Sequence, residues 1–430
     1  MKTSSANECV RFDLAQDAAA RLIERCLTLA RITETPGETL RAFLSSPMEE
    51  VHRRVRAWME AASMSVSIDR VGNLRGVYSS SVEDTTPRLL IASHLDTVPN
   101  AGAYDGILGV LMGLALVEAS GGARFPFTIE VIGFSDEEGT RFGVPFLGSR
   151  ALVHKLDTDL LEIVDKAGIS ISESLRQYVN THPQAVPAEL SPETIGYLEF
   201  HIEQGPSLES ADLPLGVVEA IAGQSRCSIT FHGCARHAGT TPMSMRRDAL
   251  AGAAEWMTHV ETVATQFEHL VATVGQVSVE PGAANVIPAV VRCSLDVRHS
   301  DDAIREAAVR AILGEAKTVA RKRGLSVEAN HYYKQPAVRL NSKLTEIVEK
   351  AAQQAGYSIP RMISGAGHDA MVMAPHLPTA MVFLRNPGGI SHHPDETVSQ
   401  EDVTAAIRVG LCFLSNFSLF LQKKEHSARA

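Results

Sequence analysis

Apolar positions recur at helical spacing through residues 14–32 and 49–62, so the chain is expected to open with two amphipathic helices. A strand-like pair follows in MSVSIDRVGNLRGVYS, turned at Gly72–Asn73. RLLIASH (88–94) then reads as a buried strand, LGVLMGLALVEA (108–119) as a mostly apolar helix, and FTIEVIGF (127–134) as a further strand. Strand, helix and strand in that order point to a largely parallel sheet covered by helices. Chemistry in such sheets collects in the loops beyond the carboxyl ends of the strands.

A different rhythm begins near Gly216. VVEAIAGQSRCSITFHG reads as strand, MRRDALAGAAEWMTHVETV as helix and TVGQVSVEPG as strand. VVRCSLDVRH alternates strictly and reads as strand, DDAIREAAVRAILGEAKTVARKR as helix, and LSVEANHYY as strand. The order β-α-β-β-α-β is that of a ferredoxin-like unit. After about residue 336 the first style returns, with a helix over 341–355, a strand over 378–384 and a closing helix over 402–421. The expected fold class is therefore α/β. A mostly parallel-sheet catalytic domain is made from residues 1–215 and 337–430, and an α+β domain, residues 216–336, is inserted between them. An outer strand of the inserted domain would present an unpaired edge, which two copies could cover about a two-fold axis.

Composition narrows the partners. Of 430 residues, 45% are apolar and 21% charged, which is ordinary for a globular protein of two domains. The net charge of −10 argues against nucleic acid and anionic membrane as partners. The six cysteines (Cys9, Cys26, Cys227, Cys234, Cys293 and Cys412) show no C-x-x-C pair and no framework spacing, so free thiols in a reducing compartment are expected. The N-terminus MKTSSANECVRFDLAQ lacks a signal peptide's apolar run, and no apolar stretch is read as a membrane span. A cytoplasmic location is the expectation.

Candidate chemistry sits where strands end. His94 closes the strand 88–94, Asp105 lies 11 residues later, and Glu137 and Glu138 follow the strand 127–134. In YLEFHIE, Leu198, Phe200 and Ile202 alternate with Glu199, His201 and Glu203, so one imidazole lies between two carboxylates on the polar face. His392 lies in GGISHHP, again past a strand. Singly, each has an ordinary reading as a structural histidine or a solvated turn. Together, imidazoles and carboxylates at the ends of one sheet's strands suit zinc-like or manganese-like ions. One carboxylate can bridge two ions, an unligated neighbour can act as base, and Asp96 is placed to orient an imidazole.

SHLDTVPNAGAYDGILGV, FSDEEGTRFGVPFLGSRAL, LEFHIEQGPSLE, ARHAGTTPMSMRRDAL, VEPGAANVIP, LDVRH, SGAGHDA and GISHHPDE lie in that order across about residues 88–396. These blocks resemble the diagnostic segments of the hydantoinase/carbamoylase-type amidases, a family of two-metal enzymes that includes N-carbamoyl-L-amino acid amidohydrolases, allantoate amidohydrolases and some β-ureidopropionases. The resemblance implies that His94 and His201 bind one ion, Glu138 and His392 the other, and Asp105 bridges them. Glu137 would then be the general base. It also implies that His237 is a transition-state donor reaching the partner subunit's site in a homodimer joined through the inserted domain. Asn285 and Arg298 would hold the substrate carboxylate, with Gln204 and His368 lining the site. Without that context Arg298 reads equally well as a strand-end salt bridge, and His237 as a solvated loop residue. The ions could be zinc, manganese, cobalt or nickel, two per subunit.

The segment LRNPGGISHHP departs from the pattern. Arg385 and Asn386 stand where smaller or more apolar residues are expected, and the doubled His392–His393 leaves the ligand open by one position, the S-H spacing favouring His392. A polar Arg385–Asn386 step in the cleft, with only 5% aromatic residues, points to allantoate as substrate. The alternative is an N-carbamoyl-L-amino acid or β-ureido acid. A non-catalytic binding protein of the same fold is the remote alternative, disfavoured because Glu137 and every ligand are present.

Overall fold

Leu89, Leu90, Ile91 and Ala92 are all solvent-inaccessible, so the strand they form is covered on both faces, as interior strands of parallel sheets are. The structure, a computed structural model, describes residues 12–79 and 86–429. In chain order it holds α1 (Phe12–Ala30), α2 (Ser46–Ala61), β1 (Ser65–Ile68), β2 (Leu74–Tyr78), β3 (Arg88–His94), α3 (Ile107–Ala119) and β4 (Thr128–Phe134). Three short helices, α4 (Leu147–Leu152), α5 (Thr158–Leu161) and α6 (Ile171–Thr181), lead to β5 (Thr194–Ile202), α7 (Ser207–Ser210) and β6 (Leu215–Ile221). Then come β7 (Gly223–His232), α8 (Ala249–Ala264), β8 (Val271–Thr273), β9 (Val277–Glu280), β10 (Val290–His299), α9 (Asp302–Arg323), β11 (Ser326–Gln335) and β12 (Val338–Arg339). The chain ends with α10 (Ser342–Gln354), β13 (Arg361–Ser364), α11 (Asp369–Met373), β14 (Thr379–Leu384) and α12 (Gln400–Arg429).

Two compact units divide the chain. The first runs to Glu219 and includes Leu340–Met362 and the chain from Gly367; the second is Ala220–Arg339 with Ile363–Ala366. In the first, strands follow the order β1-β2-β4-β3-β5-β14-β6. The pairs β4–β3, β3–β5 and β5–β14 are parallel, whereas β1–β2, β2–β4 and β14–β6 are antiparallel. The sheet is therefore mixed, with a parallel centre and antiparallel flanks, because β2 and β6 run against the central strands. What matters for chemistry is the parallel centre. It delivers His94, Asp136–Glu138, His201 and the segment after β14 to the same sheet end.

The helix α3 is buried from Ile107 to Leu116 with no polar stripe, as suits a helix covered on all sides. Part of α12 is also apolar and long enough to cross a membrane, contrary to the sequence reading, yet 72% of that stretch is buried. Its Val403, Ala406, Ile407 and Leu414 belong to the main core, which accounts for the apolar run.

The second unit has the ferredoxin-like order β11-β7-β10-β8, with β9 also on β10 and all pairs antiparallel. Three boundaries differ from the sequence reading. The segment 216–233 is two strands, since the chain leaves the first sheet after Ile221 and starts β7 at Gly223. TVGQVSVEPG breaks into β8 and β9, and Gln276 between them donates its N–H to Ser294 Oγ (2.9 Å). Helix α8 starts at Ala249 because Asp248 caps it, accepting from the N–H groups of Leu250 and Ala251.

Candidate metal centre

His94 is the last residue of β3, and its ring lies where any side chain on Gly106 would stand: a Cβ there would come within 2.3 Å of the imidazole. Gly106 also has φ +71°, so glycine serves both the turn and the close approach. His94 Nδ1 donates to the main-chain carbonyl of Asp96 (3.1 Å), and His201 Nδ1 to that of Ile202 (2.9 Å). Each carbonyl fixes the ring's tautomer and turns Nε2 toward Asp105.

Asp105 is the centre of the cluster. Its Oδ1 lies 3.6 Å from His94 Nε2 and 3.1 Å from His201 Nε2; its Oδ2 lies 3.3 Å from His392 Nε2. Glu138 Oε1 is 3.4 Å from the same His392 nitrogen, and Glu137 Oε2 is 4.0 Å from His94 Nε2. Among the described residues, His94–Asp105–His201 and Asp105–Glu138–His392 each gather their donor atoms within 4.8 Å, as does Glu199–His201–His368. The two oxygens of Asp105 thus face different ligand pairs, as a bridging carboxylate would.

The donor set fits divalent ions. Asp105 Oδ1 is buried and accepts no hydrogen bond, although a histidine nitrogen stands 3.1 Å away. Against the upward push of burial, the three imidazoles hold the Asp105 carboxyl well below its ordinary range. Elsewhere negative charge is crowded: burial, then Glu138, Asp369 and Asp96, push Glu137 well above the usual carboxylate range. Asp105 and Glu138 lift the more exposed His392 to about 10. Imidazoles and carboxylates converging within a few ångströms are a donor set that suits divalent cations.

Residues 90–416 match the model of peptidase family M20/M25/M40. The chain belongs to that family. It is 38% identical to allantoate deiminase 1 of Glycine max, with 94% of this chain and 90% of that protein covered. It is 37% identical to an N-carbamoyl-L-amino acid amidohydrolase of Geobacillus stearothermophilus, covering 90% and 96%. An amidase of the hydantoinase/carbamoylase family from Burkholderia multivorans superposes with TM-score 0.86 at 33% identity, covering 93% and 97%. The sequence blocks therefore place the chain in the hydantoinase/carbamoylase branch of the M20 family.

Glu396 and Ser391 escaped the sequence reading of this M20 site, and Asp96 takes another role than the one read for it. Asp96 does not orient His94 with its carboxylate, which is 3.6 Å from Nδ1; its Oδ1 and Oδ2 accept the N–H groups of Glu137 and Glu138, both at 3.0 Å. Glu396 Oε1 accepts the N–H groups of Tyr104 and Asp105. Ser391 donates to Asp105 Oδ2 at 3.0 Å, and Gln204 Nε2 donates to the same oxygen at 2.9 Å. His368 is buried with its ring 4.5 Å from that of His201. Asp96 and Glu396 each hold two consecutive backbone amides, a role visible only once distant loops meet.

Arg385 and Asn386 are structural in this arrangement. Arg385 forks onto Asp402 at 2.9 and 3.0 Å and reaches Asp212 at 2.9 Å. Asn386 is fully buried, accepts from Gln204 N and donates to Ile390 O, tying two site loops together. Neither offers the polar pocket wall from which allantoate was inferred.

The remaining candidates belong to the second unit. His237 is exposed, accepts from Gly239 N at 3.1 Å through Nδ1, and pairs across a β-bridge with Val286. Asn285 is exposed and accepts from Ala238 N through its carbonyl, so these two segments lie side by side. Arg298 forks onto Asp296 through Nε and Nη2 (2.9 and 3.0 Å) and donates from Nη1 to Gly365 O. Asp296 also accepts from Arg226. Three of the five N–H groups of Arg298 are thereby engaged.

Proposed function

We propose that this M20 amidase hydrolyses a ureido C–N bond in a small carboxylate substrate, releasing ammonia and carbon dioxide. Allantoate is the first candidate substrate, and N-carbamoyl-L-amino or β-ureido acids are the second. The observation that carries the reading is the division of the two Asp105 oxygens between His94–His201 and His392–Glu138, with Glu137 beside them. The preference for allantoate rests on the named relatives and not on Arg385.

His94 and His201 would hold one ion, Glu138 and His392 the other, and Asp105 both. Zinc, manganese, cobalt or nickel would suit, supplying a Lewis acid for the resonance-stabilised carbonyl and lowering the pKa of water. Glu137 takes a proton from the attacking water and returns it to the leaving nitrogen, both transfers by one carboxylate. Asp96 keeps that loop in place through the two amides it binds. The His237 imidazole supplies a donor to the developing oxyanion. Arg298, with Asn285, grips the substrate carboxylate using the N–H groups that Asp296 and Gly365 leave free.

Two copies would pair through the second unit, whose sheet ends in the ten-residue edge strand β11 on one side and in β8 and β9 on the other. Among the described residues, Cys26, Cys227, Cys234 and Cys293 are in no disulfide, which suits the reducing cytoplasm proposed for the protein. The deciding experiment is ammonia release from allantoate and from a panel of N-carbamoyl-L-amino acids, with each metal added back to metal-free protein. Cleavage of dipeptides alone would overturn the ureido reading.

A further inference from the structure

Burial penalises a charged side chain unless opposite charge and hydrogen bonds meet it, and Arg41, in the loop between α1 and α2, is 0% exposed. The hydrogen bonds of its guanidinium go to main-chain carbonyls. Nη1 donates to Leu29 O (3.0 Å) and Ile32 O (3.2 Å), and Nε donates to Leu95 O (3.2 Å). Nη2 is buried without a hydrogen-bond partner, so hydrogen bonds alone do not offset the burial. Burial draws Arg41 down to about 10, and Asp96 is the first of the charges that hold it up. At neutral pH it is therefore a buried cation.

The two ends of this bridge serve different parts of the fold. Leu29 O and Ile32 O lie at the close of α1, where a helix attracts positive charge. That end alone would make Arg41 a helix cap. The other end is Leu95, which stands between His94 and Asp96. The main chain of Arg41 adds two bonds to the same turn: its N–H donates to Thr97 Oγ1 and its carbonyl accepts from Thr97 N, both at 3.0 Å. On one side of the turn is His94. On the other is Asp96, whose carboxylate accepts the amides of Glu137 and Glu138.

We propose that Arg41 is a positioning residue for the metal centre. It straps the turn Leu95–Thr97 to the end of α1, and so fixes His94 directly and Glu138 through Asp96 before an ion arrives. The inference rests on the metal centre proposed above and is independent of which bond is cleaved. Groups that hold metal ligands in place in this way carry about 10–100-fold in metal affinity.

The test measures dissociation constants for zinc and manganese by chelator competition on the full-length, metal-free protein, beside that protein's melting temperature. Arg41→Met should raise the constants about tenfold and lower the melting temperature. Arg41→Lys keeps the charge and a donor, and should recover part of the affinity. Arg25→Met is the control for stability. Arg25 ties α1 to Glu118 of α3 at 2.8 and 3.1 Å, so this variant loosens α1 without touching the turn. Its melting temperature should fall while its dissociation constants stay at the wild-type values. Should Arg41→Met not fold, Arg41→Lys and Thr97→Val, which removes the acceptor for the Arg41 N–H, carry the comparison, and both should bind metal more weakly. Wild-type affinity in Arg41→Met, or in both substitutes, would leave Arg41 as a helix cap and overturn the proposal whatever the melting temperature. An equal loss of affinity in Arg25→Met would overturn it too. Wild-type protein that takes up neither zinc nor manganese would instead overturn the metal centre itself, so the two readings fail separately.

Discussion

The ligand candidates of the first unit are held almost atom by atom, whereas His237 and Asn285 of the second are held chiefly by their backbones. His94 and His201 each have Nδ1 fixed by a carbonyl, and Asp105 is steadied by Gln204, Ser391 and the Glu396 clamp on its amide. His237 and Asn285 are exposed, and the bonds that order them run mainly along the chain. The contrast follows from the tasks. A metal site must keep its geometry before any substrate arrives, because ions tolerate little error in ligand distance. A group that meets substrate can complete its contacts on binding.

The comparison breaks first at its centre. Asp105→Ala should lose at least one ion by elemental analysis, together with all measurable turnover, even in excess metal. Two tightly retained ions would show that its two oxygens are not shared. Next, Glu137→Gln should keep both ions and lose about 10²–10⁴-fold in turnover, the usual contribution of a general base. Near-normal turnover would remove Glu137 from the chemistry.

For the second unit the sharper question is whose site His237 serves. His237→Ala should cost about 10²–10³-fold in kcat, as loss of an oxyanion donor does. Mixing it with Glu137→Gln under conditions of subunit exchange then separates the cases. If His237 acts in trans, one site of each mixed dimer has both residues intact and activity returns. If it acts in cis, every site lacks one residue. A mixture that stays dead after confirmed exchange would sink the shared-site reading.

Metal uptake should depend on pH with a definite sign. In the metal-free protein Asp105 and Glu138 hold His392 protonated up to about 10. Binding an ion must therefore displace that proton throughout the neutral range. Apparent affinity should rise with pH, by about tenfold per unit for each proton displaced, and proton release on adding metal should be measurable in weak buffer. Affinity flat between pH 6 and 9 would mean that His392 is not a ligand.

The main elements were legible because their patterns are strong: a run of four buried apolar residues in β3, strict alternation in β10, and apolar periodicity in α10. The six site residues of the first unit were legible as types at strand ends, and the family blocks gave them roles. The supports were not. Asp96, Asn386 and Glu396 act through hydrogen bonds to residues up to 292 positions away, and no local spacing encodes such a partner. The helices α4 and α5 were missed because six and four residues are too few to show a period. The mixed sheet was missed because hydropathy reports burial, not strand direction.

The smallest effect tests the neighbours Arg385 and Asn386, which the sequence treats alike and the structure separates. Arg385 spends its guanidinium on Asp402 and Asp212, and the Asp402 side chain is only 2% exposed. Arg385→Met should therefore cost stability, about 1–2 kcal/mol for a charged hydrogen-bonded pair that is partly open to water. The ratio of kcat/KM for allantoate over an N-carbamoyl-L-amino acid should change by less than about twofold, the scale of a substitution remote from the reacting groups. Asn386→Ala should do the opposite. It removes the acceptor for Gln204 N and the donor to Ile390 O, and so frees the loops that carry Gln204 and His392. Metal affinity and kcat should both fall in this variant, with the substrate ratio again unchanged. A shift in substrate ratio on replacing Arg385 would put its guanidinium back in contact with substrate and restore the sequence's first hint.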